Sequence, residues 1–146
     1  MSPITALLAL AALVVAAVLF AVVARRRDGR SRRVRIADAV EPAVVGLDRW
    51  GDRATLLQFS TEFCARCPGV HRTLAAVADA QDGVEHVDVD LTHRADLATR
   101  FHVLQTPTTL VLDRHGVIQT RFGGVVTRAA VQAELTRVGG VHDVHV

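Results

Sequence analysis

Apolar residues run from Ile4 to Ala24 with Thr5 as the one polar position among 21. At about 1.5 Å per residue a helix of that length covers roughly the 30 Å hydrocarbon core of a bilayer. The remainder of the chain shows shorter and more varied patterns. Asp28 to Arg35 is polar, and the mixed stretch Ile36 to Trp50 is most helix-like from Pro42 to Trp50, where proline suits a first turn. Gly51-Asp52 marks a turn, and Ala54 to Ser60 is a short apolar run of the kind found in a central strand buried on both faces. Val70, Leu74, Val77 and Ala78 then recur at helical spacing as far as Gln81, and Asp82-Gly83 stops them. Val84 to Leu91 alternates, with Val87, Val89 and Leu91 on one face and His86, Asp88 and Asp90 on the other, which predicts a strand. A helix from Thr92 or His93 through Phe101, strands at Thr108 to Leu112 and Val117 to Phe122 around the turn 113–116, and a last helix capped by Thr127 complete the pattern. Val131, Leu135 and Val138 share a face of that helix, Gly139-Gly140 ends it, and Val141 to Val146 forms a frayed tail. The order strand, helix, strand, helix, strand, strand, helix predicts an α/β domain with a mixed sheet covered by helices on both faces.

Charge refines the N-terminal reading. Met1-Ser2-Pro3 offers no basic region, and the apolar run exceeds the roughly 7 to 15 residues of a signal-peptide core. The run therefore reads as a retained anchor, although Val22-Val23-Ala24 would suit a cleavage site. Seven arginines and one aspartate lie within residues 25–35, and with a net charge of +2 for the whole chain the rest sums to −4. Positive residues stay on the cytoplasmic side, so the domain is expected in the cytoplasm on a single-pass anchor, an exported domain being the alternative. With no aromatic residues interleaved, the arginines read as a topology signal lying on anionic headgroups and not as a nucleic-acid site. The organisation expected is an anchor at 1–24, a juxtamembrane linker at 25–37, a domain at 38–140 and a flexible tail at 141–146.

Both cysteines of the chain fall in Phe63-Cys64-Ala65-Arg66-Cys67-Pro68, directly after the first strand. Cys64 is placed at the strand's end and Cys67 in the first turn of the following helix. Unpaired N–H groups there favour a thiolate by about 0.3 to 1 kcal/mol, and Arg66 adds a full positive charge between the sulfurs. Together, an effect of about 1.4 kcal/mol lowers a thiol pKa by about one unit from about 8.5. Cys64, the outer cysteine, would attack a substrate disulfide and Cys67 would resolve the mixed disulfide. A CxxC pair is also half a metal site, and Cys64, Cys67 and His71 supply three donors within eight residues. His86, His93, His102 or His115 could complete it, but none has finger-like spacing. Thr106-Pro107-Thr108 lies between a helix and a strand, and its proline is either an ordinary trans loop residue or a cis residue presenting backbone to a partner.

Leu57 to Cys67, Val87-Asp88-Val89-Asp90, Thr106-Pro107-Thr108 and Phe122-Gly123-Gly124 resemble, in order and spacing, the thioredoxin family over about residues 52 to 138. The resemblance implies a thioredoxin fold, thiol-disulfide exchange by Cys64 and Cys67 with no other cofactor, and a cis Pro107. It also implies a groove in which Phe63, Thr106, Pro107 and Gly123 hold a substrate chain by backbone contacts. Protein disulfides and an electron-donor reductase would be its partners. Some positions depart from the family. Ala65-Arg66 stands where Gly-Pro is common, Phe63 where Trp is common, Gln58 at the buried acid and Asp88 at its partnering lysine. Asp88 is therefore expected to help deprotonate Cys67. Pro68 and His71 are also similar to Sco-type copper chaperones, so a copper-binding module using Cys64, Cys67 and His71 is the alternative. A topology reporter fused to the C-terminus is expected to be active only in its cytoplasm-competent form; activity of a periplasm-only reporter overturns the orientation.

Overall fold

The apolar run folds as one helix, α1 (Pro3–Arg27), in a computed structural model that describes residues 3–27, 31–33 and 39–140. Arginine is a good helix former, which lets α1 pass the expected end at Ala24. Ile4, Leu7, Leu13, Leu19 and Phe20 are exposed along it. Among the described residues, no helix is long and apolar enough to cross a membrane.

The remaining elements are β1 (Ser31–Arg33), a single 3-10 turn (Pro42–Val45), β2 (Ala54–Ser60), α2 (Cys67–Asp79), β3 (Val84–Asp90), α3 (Ala95–Arg100), β4 (Thr108–Asp113), β5 (Ile118–Gly123) and α4 (Arg128–Gly140). From β2 onward the order matches the sequence pattern. The N-terminal part differs from it. Ser31–Arg33, assigned to a polar linker, is an edge strand hydrogen-bonded antiparallel to β5, while residues 28–30, 34–38 and the tail 141–146 lie outside the described residues. The helix expected from Pro42 to Trp50 is cut to one turn because Gly46 adopts φ +79° and closes it through its N–H to the Ala43 carbonyl. α3 starts later than Thr92 because Thr92 is held in a turn, its N–H and hydroxyl both donating to Asp90 Oδ1. α4 runs through Gly139 to Gly140, and Thr127 caps it as expected, its Oγ1 accepting from the Ala130 N–H at 3.2 Å.

The sheet order is β1-β5-β4-β2-β3, with β2 parallel to β3 and antiparallel to β4. β2 lacks polar alternation because both of its faces are covered. Ala54 and Leu56 pack with Val70, Leu74 and Val77 of α2 and Val131, Leu135 and Val138 of α4. Leu57 and Phe59 point the other way, into a cluster with Leu97, Phe101, Leu110 and Leu112. Phe59 is fully buried and its ring centroid lies 5.0 Å from that of Phe101. Phe59→Ala is expected to cost about 3 to 5 kcal/mol, a large share of the roughly 5 to 15 kcal/mol that holds a domain together. A urea midpoint unchanged by that substitution would contradict this packing.

Candidate active site around Cys64 and Cys67

β2 delivers the chain at Ser60 to a turn closed by the Cys64 N–H donating to the Thr61 carbonyl at 3.1 Å. Cys67 opens α2, and its own N–H donates to the Cys64 carbonyl at 3.2 Å. Pro68 is tolerated at the second position because first-turn amides have no partner inside the helix. The sulfurs of Cys64 and Cys67 are joined in a disulfide, with Cα atoms 5.4 Å apart. Cys64 is partly exposed and Cys67 is buried, 5% accessible. An incoming sulfur therefore has readier access to Cys64 than to Cys67. Arg66 occupies the cap position with its side chain exposed, so its charge acts on the sulfurs through solvent, where it is screened.

The second wall of the site comes from the loop before β4. The Thr106-Pro107 peptide is cis. Pairing of Phe59 with Thr108 sets that loop beside the turn after β2, and the hydroxyls of Thr61 and Thr106 stand 3.4 Å apart. Gly123 pairs with Thr108, and the following Gly124 donates its N–H to the Pro107 carbonyl at 2.8 Å. A Cβ at Gly123 would lie 2.6 Å from Gln105 Nε2, so a larger residue there would displace the end of the Gln105 side chain. Phe63 and Leu104 stand out into solvent, 88% and 96% accessible, and give the site's surroundings an apolar character.

Behind the disulfide lies a set of polar side chains. Gln58, fully buried on β2, donates from Nε2 to the Cys67 carbonyl at 3.2 Å. A carbonyl only accepts, so this bond fixes the amide's orientation and turns Oε1 toward His86 Nε2, 3.2 Å away. His86 therefore carries its proton on Nε2. The rings of His86 and His71 meet edge to face at 4.7 Å. His71 Nδ1 is 3.1 Å from Asp88 Oδ2, and Ser60 donates its hydroxyl to Asp88 Oδ1 at 2.6 Å. Cys64, Cys67, His71 and Asp88 border one open hollow of about 350 Å³. A second hollow, of about 260 Å³, lies by Trp50, Thr55 and Glu85 and has neither cysteine on its wall.

A family model described as Thioredoxin matches residues 47–137. The chain belongs to the thioredoxin family. Among solved structures it is similar to thioredoxin-2 of the malaria parasite, a component of protein secretion machinery, at 20% identity and TM-score 0.54 over 58% of this chain and 82% of that one. Chloroplastic thioredoxin z matches at 21% identity and TM-score 0.55 over 61% and 80%, and Fasciola hepatica thioredoxin at 23% and 0.52 over 60% and 82%. At such identities these likenesses show the fold. A search of curated proteins gives no match. The thioredoxin fold together with the Cys64-Cys67 pair supports a thiol-disulfide redox role.

The residues singled out from the sequence come from several parts of the chain. Phe63, Cys64, Arg66 and Cys67 lie at the turn into α2, Thr106 and Pro107 lie in the loop before β4, and Gly123 ends β5. Asp88 is on the neighbouring strand, in the hollow. Among the described residues no group of three His, Cys, Asp or Glu side chains is arranged to hold a metal ion. His71, the third donor of the copper alternative, is engaged by Asp88. Sequence reasoning missed the link from Gln58 to His86. The available signal was a histidine two residues before Asp88 on the same face of β3, next to a strand carrying an amide in place of the family's acid.

His86 is held below the ordinary histidine value, first by burial and then by the positive field of His71, with Asp88 and Asp79 opposing. An unfolded histidine titrates near 6.5, so below about that pH the unfolded chain binds a proton that folded His86 resists. Stability from neutral His86 is complete above that pH and declines as pH falls below it. The urea midpoint is expected to be lower at pH 5.5 than at pH 7.5, and His86→Gln is expected to narrow that difference; an unchanged difference would remove His86 as its source.

Proposed function

We propose that this thioredoxin-family chain is a membrane-anchored thiol-disulfide oxidoreductase that reduces or exchanges disulfides of other proteins. The observation that carries the reading is the burial difference within one disulfide: Cys64 reachable, Cys67 enclosed at the start of α2. In the dithiol form Cys64 attacks a substrate disulfide, a mixed disulfide forms, and Cys67 displaces the substrate thiol while Cys64-Cys67 closes. Phe63, Thr106, Pro107 and Gly123 receive the substrate backbone as an added extended segment. The reaction needs no cofactor beyond the Cys64-Cys67 disulfide, and a reductase returns it to the dithiol. No nucleic acid takes part.

The anchor rests on α1. What supports it is the sequence of that segment, 21 residues from Ile4 to Ala24 with Thr5 as the one polar position. With the arginines after it, the domain lies on the cytoplasmic face of the cell membrane, where the reducing pool favours the dithiol and a reductive direction.

Insulin disulfides in the presence of dithiothreitol are expected to be reduced by the full chain, and Cys64→Ser is expected to lower the rate at least about 100-fold, the enzyme then lacking its nucleophile. Cys67→Ser in native membranes is expected to hold substrates as mixed disulfides on Cys64. An active Cys64→Ser protein would overturn the assignment.

A further inference from the structure

The exchange reading leaves one proton without a destination. Cys67 attacks as a thiolate, and burial holds a thiol in its neutral form. The titratable side chains that border the hollow with Cys67 are Glu62, His71, Arg72 and Asp88. Guanidinium stays protonated and accepts nothing. Carboxylic acids as a class are about four units stronger than a thiol, whereas imidazolium is about two units stronger, so an imidazole is the better match for taking a thiol proton. Asp88 is in addition committed on both oxygens, to Ser60 and to His71.

Geometry favours the same residue. His71 follows Cys67 by four positions on α2, which puts the two side chains on one helix face with Cβ atoms about 5 to 6 Å apart. A carboxylate accepts and does not donate, so the 3.1 Å contact with Asp88 places the His71 proton on Nδ1 and its lone pair on Nε2. The His71 side chain is half exposed, 49%, and opens to solvent through the hollow. We propose that His71 takes the proton of Cys67 during resolution of the mixed disulfide, and that Asp88 is a positioning residue acting through His71.

The step balances without a further reactant. The Cys67 S–H bond breaks and its proton passes to His71 Nε2, directly or through one water. The sulfur's electron pair forms the bond to Cys64 Sγ, the bond between Cys64 and the substrate sulfur breaks, and the substrate leaves as a thiolate. The imidazolium is stabilised by Asp88 and releases its proton to water. Other groups facing His71 agree with this role. His86 on β3 is kept neutral by burial, Arg72 and Cys67 lie on its own helix, Glu62 lies in the turn before Cys64, and α4, packed on α2, adds no residue to the hollow.

This inference rests on the exchange reading, and rapid-quench mass spectrometry of the reduced full chain mixed with oxidised glutathione tests both separately. Formation of the glutathione adduct on Cys64 reports the first reading, and its conversion to the intramolecular disulfide reports this one. His71→Ala is expected to slow conversion at least about tenfold at pH 7 and to move its pH dependence toward that of an unassisted thiol, near 8.5. Added imidazole is expected to restore part of the rate. Asp88→Asn is expected to slow conversion less, and the double variant no more than His71→Ala alone. Conversion in His71→Ala at the wild-type rate and pH profile overturns the proposal, as does slowing that imidazole leaves untouched. Asp88→Asn slowing conversion in a His71→Ala background assigns the proton to Asp88 instead. No adduct on Cys64 in the unsubstituted chain overturns both readings.

Discussion

β2 is hydrogen-bonded on both sides, in parallel to β3 and antiparallel to β4, and the arrangement of the site follows from that double register. The parallel pairing brings Gln58 and Ser60 level with Asp88 and Asp90. The antiparallel pairing brings the loop containing Thr106 and Pro107 back to the end of β2 from which Cys64 departs. A slip of one residue in either pairing would exchange the faces of every side chain on the strand. Such a slip is opposed on both faces, since Leu56 is enclosed by α2 and α4 and Phe59 by the cluster around Phe101. Burial of the hydrophobic strand is thus what fixes the mutual position of the disulfide, the cis-proline loop and the polar side chains behind them.

Those polar side chains divide by protonation. Gln58 and His86 form a neutral chain that holds the Cys67 carbonyl, and so the start of α2, through bonds in which no proton need move. Ser60, Asp88 and His71 form a hydrogen-bonded chain with an acidic centre that ends at the open hollow. Edge-to-face contact of the two histidines joins them. The separation is physical: the interior member has lost its hydration and resists charge, whereas the outer member keeps water and an acidic partner.

Local patterns carried most of the fold. The unbroken apolar run at Ala54–Ser60, the helical recurrence from Val70 to Ala78 and the alternation after Val84 each reflect burial, and each element formed where its pattern lies. Thr127 was legible as a cap because capping is a local interaction. Ser31–Arg33 was not legible, since three polar residues have no hydrophobic period and the strand exists through its pairing with β5. The truncated turn at Pro42–Val45 depended on the left-handed Gly46, and the late start of α3 on the Asp90-Thr92 turn. At the site, CxxC and Thr-Pro announce themselves by spacing. The bond between Gln58 and His86 spans 28 positions and is created by strand pairing, which no single segment encodes.

Gln58 has a consequence for the electrochemistry of the pair. A dithiol-disulfide couple exchanges two electrons and, below the thiol pKa values, two protons, so its potential falls steadily with pH. A neighbouring buried acid whose ionisation differs between the oxidised and reduced forms adds a bend to that line. An amide has no such ionisation, and at position 58 it contributes hydrogen bonds that are the same on either side of neutrality. Curvature in the potential of Cys64-Cys67 is then left to the thiols and to the titratable side chains around the hollow, Glu62, His71 and Asp88, and the strand directly beneath the disulfide acts as a fixed dipole with no titration of its own.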